Sequence, residues 1–234
     1  MSSVPNQKSI DKLPDGKLRR SIGGIAERTE RALAIFVHLK KLIPEEEATI
    51  ALRYGSPWEL LVAVILSAQC TDKKVNEVTA TLFKKYPMLY DYVNADPRIF
   101  ERDVFSTGFY HDKTKHILAS AKLIRDNWGG KVPDTMKEIL TLQGVSRKTA
   151  NVVLGNAYDI VDGIAVDTHV RRLARLWRLT NEWDPQKIER DLMDVIPKKD
   201  WLHATYYMIE YGRRYCPATK KDHNACPLAK FEKK

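Results

Sequence analysis

The chain is poor in cysteine: its 234 residues hold three, Cys70, Cys216 and Cys226. So sparse and odd a set cannot build a paired disulfide framework, which excludes the small stapled scaffolds of oxidising compartments. Long hydrophobic runs are equally scarce. The longest, Leu60 to Leu66, is far below the ~20 apolar residues of a membrane-spanning helix. The opening stretch MSSVPNQKSIDKLPDGKLRR has no apolar segment of signal-peptide length. Alternating apolar and polar runs joined by two-residue turns are absent, which excludes a substantial β-sheet. No 20-to-50-residue period recurs, which excludes a solenoid or propeller. Acidic residues are also in deficit. There are 39 Lys and Arg against 30 Asp and Glu, a net charge of +9, and such an excess favours a polyanionic partner, nucleic acid or an anionic surface.

What is present suits a packed globular chain. At 44% hydrophobic residues it can bury a real core. Residues 1–27 are polar and hold Pro5, Pro14 and Gly23-Gly24, which reads as a flexible basic arm with the fold beginning near Glu27. Beyond it, helix follows helix. Ser56-Pro57-Trp58-Glu59 joins a Ser cap, Pro at the first helical position and Glu three residues after the cap, ahead of LLVAVIL, a wholly buried helix. Asp72 starts another, with Val75, Val78 and Leu82 on one face, and Asp96-Pro97 and Asp184-Pro185 repeat the signature. Ile117, Ala121, Ile124 and Trp128 keep helical spacing until Gly129-Gly130 stops them, and Thr135 to Glu138 is a further capping box. The class is all-α.

The segment ILTLQGVSRKTANVVL, residues 139–154, sets a short turn containing Gly144 between two helical patterns, the second beginning near Ser146. Unpaired backbone N–H groups and the positive end of the dipole make such a start a seat for phosphate. Arg147 and Lys148 add charge. An ordinary helix-turn-helix corner would read the same way.

Four stretches taken together resemble the endonuclease III group of helix-hairpin-helix DNA glycosylases: LLVAVILSAQCTDKKVN at 60–76, LQGVSRKTANVVL at 142–154, VDTHVRRL at 166–173 and YGRRYC at 211–216. They occur in the family's order and with its approximate spacing. The resemblance implies two helical domains with a DNA cleft between them. One is a six-helix barrel at 50–160 containing the hairpin at 142–149; the other is discontinuous, made from 28–49 and 161–234.

It also implies roles. Lys148 corresponds to the nucleophile that attacks the sugar C1′, gives a Schiff base and leads to strand scission by β-elimination. An attacking amine must be neutral at that moment; without the resemblance Lys148 reads as a phosphate-contacting surface lysine. Asp167, nineteen positions later, corresponds to the carboxylate that faces this lysine, assists its deprotonation and steadies positive charge on the sugar. From the sequence alone it is a helix cap, and the two roles are compatible. His169 reads as a supporting structural residue. A glycosylase takes its base out of the stack and fills the hole. Gln69 corresponds to the residue that enters the duplex, and Phe109 or Tyr110 to a second wedge. Asp72 reads as a cap for the helix it opens. Gly144, Ser146 and Arg147 complete the expected DNA contacts. Arg171, Arg172, Arg175, Arg178, Arg213, Arg214, Lys220 and Lys221 form basic clusters, of which some meet phosphates and the rest are solvated helix faces.

The chain departs from the family in two places. Where four cysteines spaced C-x6-C-x2-C-x5-C would hold a four-iron cluster, it offers Cys216, His223, Cys226 and Glu232. Two thiols, an imidazole and a carboxylate make a poor cluster site, so no iron–sulfur cluster is expected. Zinc at Cys216, His223 and Cys226 with one further ligand is the alternative. In the hairpin, Gln143 replaces a common proline and Ser146 the second glycine, which puts the ease of a positive φ there in question.

The expectation is a monomeric bifunctional DNA glycosylase and AP lyase of base excision repair, cytoplasmic and nucleoid-associated, acting on oxidised pyrimidines in duplex DNA. Two competing readings are a monofunctional uracil or thymine mismatch glycosylase using water, which Lys148 argues against, and a non-catalytic duplex-binding module, which would not need Lys148 together with Asp167. An adenine substrate is disfavoured, because the only acidic neighbour of LLVAVILSAQC is Glu59 at the helix start.

Overall fold

A computed structural model describes residues 22–220 and 222–231. Among them the regular structure is helical, with no β-strand. Eleven α-helices follow in order: α1 Ile25–Leu42, α2 Pro57–Leu66, α3 Asp72–Lys85, α4 Leu89–Val93, α5 Pro97–Val104, α6 Tyr110–Trp128, α7 Met136–Ile139, α8 Arg147–Tyr158, α9 Thr168–Leu176, α10 Pro185–Met193 and α11 Trp201–Arg214. No helix among the described residues is long and apolar enough to cross a membrane.

The start signals act locally as their chemistry requires. Ser56 accepts from Glu59 N at 3.2 Å, Asp96 from Arg98 N at 2.8 Å and Asp184 from Lys187 N at 3.0 Å. Each replaces one of the donors that a helix start leaves unpaired. Gly129 ends α6 at φ +58°, a left-handed position that glycine takes without a Cβ clash.

The expected arm over 1–27 is only partly within the described residues. Its residues 22–27 belong to the folded body, because α1 begins at Ile25 and Arg31 Nη1 donates to Ile22 O at 3.0 Å and to Arg178 O at 2.9 Å. The first turn carries too few apolar residues to show a period, and its cap, Gly24, has no side chain to announce it. Residues 1–21 lie outside the described set.

Two hydrophobic cores form. One is built around α2, whose Trp58 and Leu60–Leu66 are all buried, and takes residues from α3, α4, α5, α6 and α8 together with the single-turn α7. A T-shaped contact between Trp58 and Tyr92, centroids 5.1 Å apart, leads on to Phe100. The other core joins α1 to α9, α10 and α11 around Trp177 and Tyr211. The chain passes between the cores twice. Ala48 belongs to the second core and Leu52 to the first; later Ile164 and Val166 face the second while Ala165 faces the first. In extended chain, alternate side chains point to opposite sides. Residues 164–166 therefore seam the two cores together and deliver Asp167 to the junction.

Candidate active site

An open cleft lies along that seam, with an empty space of about 590 Å³. Lys148 comes to it from the first turn of α8, Asp167 from the cap of α9, Asp72 from the start of α3, Glu210 and Arg213 from α11, and Ser67 from the end of α2. The structure thus places the two expected catalytic residues in one cleft.

Local chemistry puts each there. Ser146 caps α8, accepting from Thr149 N at 3.3 Å, so Lys148 falls on the helix's first turn and is exposed. Asp167 caps α9, its Oδ1 accepting from Val170 N at 2.8 Å. The capping role is real, and it fixes the carboxylate at the cleft rather than removing it.

The hairpin resolves the question raised by Ser146. Its φ is −87°, ordinary extended backbone, and the positive φ falls on Gly144 at +75°. A Cβ on Gly144 would lie 2.7 Å from the His116 ring. Glycine is needed here for the chain's own packing as well as for its backbone angle.

Asp72 differs from expectation. Thr71 is the cap of α3, accepting from Lys74 N at 3.3 Å. Asp72 is one residue further in, where its carboxylate accepts from Arg213 Nη2 at 2.6 Å. Threonine caps as aspartate does, so adjacent candidates give no sequence signal to choose between them. Arg213 also binds Glu210 at 3.0 Å, and Arg214 binds Glu210 and Glu47. These two arginines, expected as surface charge, are tied into ion pairs at the rim.

Arg147 is likewise engaged. Its Nε donates at 2.6 Å to Glu189 of α10, and Glu189 also accepts from Asn151 Nδ2 at 2.8 Å. Glu189 and Glu210 are the functional neighbours that sequence reasoning missed. Glu210 stands three residues before Arg213, an i,i+3 pairing that was there to be read; nothing near Glu189 in sequence marks it.

His169 lies on α9 against Gly212 of α11, and its Nδ1 is buried without a hydrogen-bond partner. Burial pushes the imidazole below its ordinary range, opposed by the Asp167 carboxylate.

Gln69 and Phe109 stand apart from the cleft lining. Both are exposed and both hold left-handed backbone, at φ +54° and +49°, which costs a non-glycine residue about 1–3 kcal/mol and gathers at functional turns. Tyr110, the other wedge candidate, is half-buried with its ring 4.8 Å from that of Phe105.

At the C-terminus Cys216, His223 and Cys226 bring their ligand atoms within 4.8 Å of one another. His223 Nδ1 is 3.1 Å from Cys216 Sγ. The set does not fit a four-iron cluster, which takes thiolates. Arg172 Nη1 donates to Cys216 Sγ at 3.3 Å, and Cys226 Sγ donates to Tyr215 O at 3.3 Å. Burial raises the Cys216 thiol above its usual range. Glu232, the fourth sequence position, lies outside the described residues.

An all-helical, two-core body with a helix-hairpin-helix turn and a Lys-Asp cleft defines a class of DNA repair protein. Residues 62–198 match the HhH-GPD superfamily of base excision DNA repair proteins. The chain is 46% identical over 205 residues to endonuclease III of Synechocystis, covering 88% of this chain and 93% of that one. With endonuclease III of Bacillus subtilis the identity is 42% over 188 residues, covering 80% and 84%. A solved trapped covalent intermediate of endonuclease III with DNA superposes with a TM-score of 0.81 at 37% identity, covering 86% of this chain and 93% of that one. The chain belongs to the endonuclease III family.

Proposed function

We propose that this chain excises damaged bases from duplex DNA and cuts the strand at the resulting abasic site, with Lys148 as nucleophile and Asp167 as its partner. It is a DNA glycosylase with AP lyase activity in base excision repair. The observation that carries the residue assignment is the meeting of Lys148 and Asp167, from separate helix starts, in one cleft at the junction of two cores. The Lys148 amine, once neutral, attacks C1′ of the damaged nucleotide. The glycosidic bond breaks and the base leaves as the Asp167 carboxylate offsets the positive charge growing on the sugar. Ring opening gives a Schiff base, and loss of a C2′ proton expels the 3′ phosphate by β-elimination.

Oxidised pyrimidines are the proposed substrate class, and the enzyme acts as a monomer divided at 28–49 with 161–234 and at 50–160. Backbone donors of Gly144, Ser146, Arg147 and Lys148 seat a phosphate, the Val145 N–H being spent on Leu142 O, aided by the η nitrogens of Arg147. Gln69 and Phe109 enter the duplex where the damaged nucleotide leaves it. We further propose that Cys216, His223 and Cys226 hold neither an iron–sulfur cluster nor zinc, the sulfurs being satisfied by Arg172 and Tyr215 instead.

Borohydride trapping on a duplex with one thymine glycol or abasic site tests the chemistry. Native protein gives a stable crosslink and Lys148→Ala gives none. An active native protein that forms no crosslink would mean hydrolysis by water and overturn the amine mechanism.

A further inference from the structure

Lys113 is the only lysine buried among the described residues, 3% exposed, and it does not line the cleft. Burial pushes its ammonium below the usual lysine range, so its presence demands specific compensation. The compensation is two backbone carbonyls: Nζ donates to Leu66 O at 2.7 Å and to Thr107 O at 2.8 Å. Leu66 ends α2, three residues before Gln69. Thr107 stands two residues before Phe109. Lys113 itself sits in the first turn of α6, and a helical side chain leans back toward its own N-terminus, which aims it at the preceding turn.

One atom thus ties together two turns about forty residues apart in sequence, each carrying an exposed residue in left-handed backbone. The chemistry suits that task. A lysine ammonium is a compact charge with three donors, able to hold more than one carbonyl, and it faces the negative end of the α2 dipole. A methionine would fill the same space and hold neither turn.

We infer that Lys113 is a positioning residue for base extrusion: by clamping the Leu66–Gln69 turn to the Thr107–Phe109 turn it fixes the spacing at which Gln69 and Phe109 enter the duplex together. This rests on the reading that both side chains enter DNA. The role belongs to one stage only. A paired damaged base must be unstacked and its space filled, whereas an abasic site has no base to extract.

The test compares two substrates in single turnover, a duplex with thymine glycol and one with a preformed abasic site, for native protein, Lys113→Met, Gln69→Ala and Phe109→Ala. Lys113→Met is expected to slow base excision by about tenfold or more while strand scission and borohydride trapping at the abasic site fall less than about threefold. In a Gln69→Ala/Phe109→Ala background, adding Lys113→Met is expected to cost little more. Equal loss on both substrates, or no loss on either, would overturn the clamp. If Gln69→Ala and Phe109→Ala leave excision intact, the wedge reading itself fails; if they slow it and Lys113→Met does not, only the clamp fails. Should Lys113→Met not fold, Lys113→Arg replaces it. The bulkier guanidinium cannot reproduce both contacts in the same space, and the same selective loss is expected, with equal or absent loss again overturning the proposal.

Discussion

Arg147, one residue before Lys148, reaches across the junction of the two cores to Glu189, Nε to Oε2 at 2.6 Å, with the Glu189 side chain only 5% exposed. Glu189 also holds Asn151 on the same helix, and Gly163 leaves the space its carboxylate occupies. The turn bearing Lys148 is therefore fastened to α10, which packs on α9, the helix capped by Asp167. Removing one partner of a buried ion pair leaves the other uncompensated, a loss of about 3 kcal/mol when, as here, the arginine keeps partial access to water. Glu189→Ala is expected to lower Tm by roughly 6–12 °C, the scale for a chain of this size. Glu189→Gln, which keeps an acceptor, is expected to lose less. A scanning calorimeter decides it: an unchanged Tm for the alanine variant would mean the pair fastens nothing.

Asp167 caps α9, and the proposed mechanism gives it a second duty that one substitution can separate from the first. Asparagine caps a helix about as well as aspartate, so Asp167→Asn should keep stability within about 1 kcal/mol, allowing for the lost charge at a helix start. Removing the carboxylate should nonetheless slow excision by about 10²- to 10⁴-fold, the usual contribution of a placed acid-base group. Asp167→Ala loses the cap as well, a further ~1 kcal/mol. Single-turnover excision measured beside chemical denaturation tells the duties apart, and full activity in Asp167→Asn would reduce the residue to a cap.

The fold was legible because its instructions are local. Ser56, Asp96, Asp184 and Gly129 act within one helical turn, and each performs the role its residue type announces. Lys148 and Asp167 were legible only through resemblance to a family, since by themselves a helix-start lysine and a helix-cap aspartate have commoner meanings. What escaped was set by tertiary partners. Thr71 displaced Asp72 as cap, and Asp72 was freed to bind Arg213 across the cleft. Ser146 raised a doubt about φ that the structure removes, because the turn puts its one left-handed residue at Gly144. Glu189 gave no signal, its partners Arg147 and Asn151 lying 42 and 38 residues away, and neither did Lys113, whose link to Leu66 O spans 47 residues.

The C-terminal group yields a prediction about metal. Thiols already occupied by a guanidinium and a carbonyl, with one imidazole between them, stabilise the segment through hydrogen bonds, so the fold should not depend on a metal ion. Elemental analysis of the pure protein is expected to find neither iron with sulfide nor zinc at stoichiometric level, and a chelator should leave Tm where it was. Proteins built around structural zinc denature under chelators; a large drop in Tm here, or one equivalent of zinc, would contradict the donor arrangement described.

His169 makes stability depend on pH in a stated direction. Burial against Gly212 lowers its folded pKa, while in the unfolded chain it titrates near the usual ~6.5. Between those values the unfolded chain binds a proton that the folded protein refuses, so stability falls as pH drops below about 6.5 and continues to fall until the lowered folded pKa is passed. Above ~6.5 both states hold a neutral ring and the effect vanishes. His169→Gln has no such titration. The difference in Tm between native protein and variant should hence be constant from pH 8 to 7 and shift against the native protein on acidification to pH 5.5. Carboxylates elsewhere titrate in both proteins and cancel in the comparison. Parallel curves across the whole range would mean that the ring takes up its proton as readily in the fold as outside it, and that the unpartnered Nδ1 is reached by water.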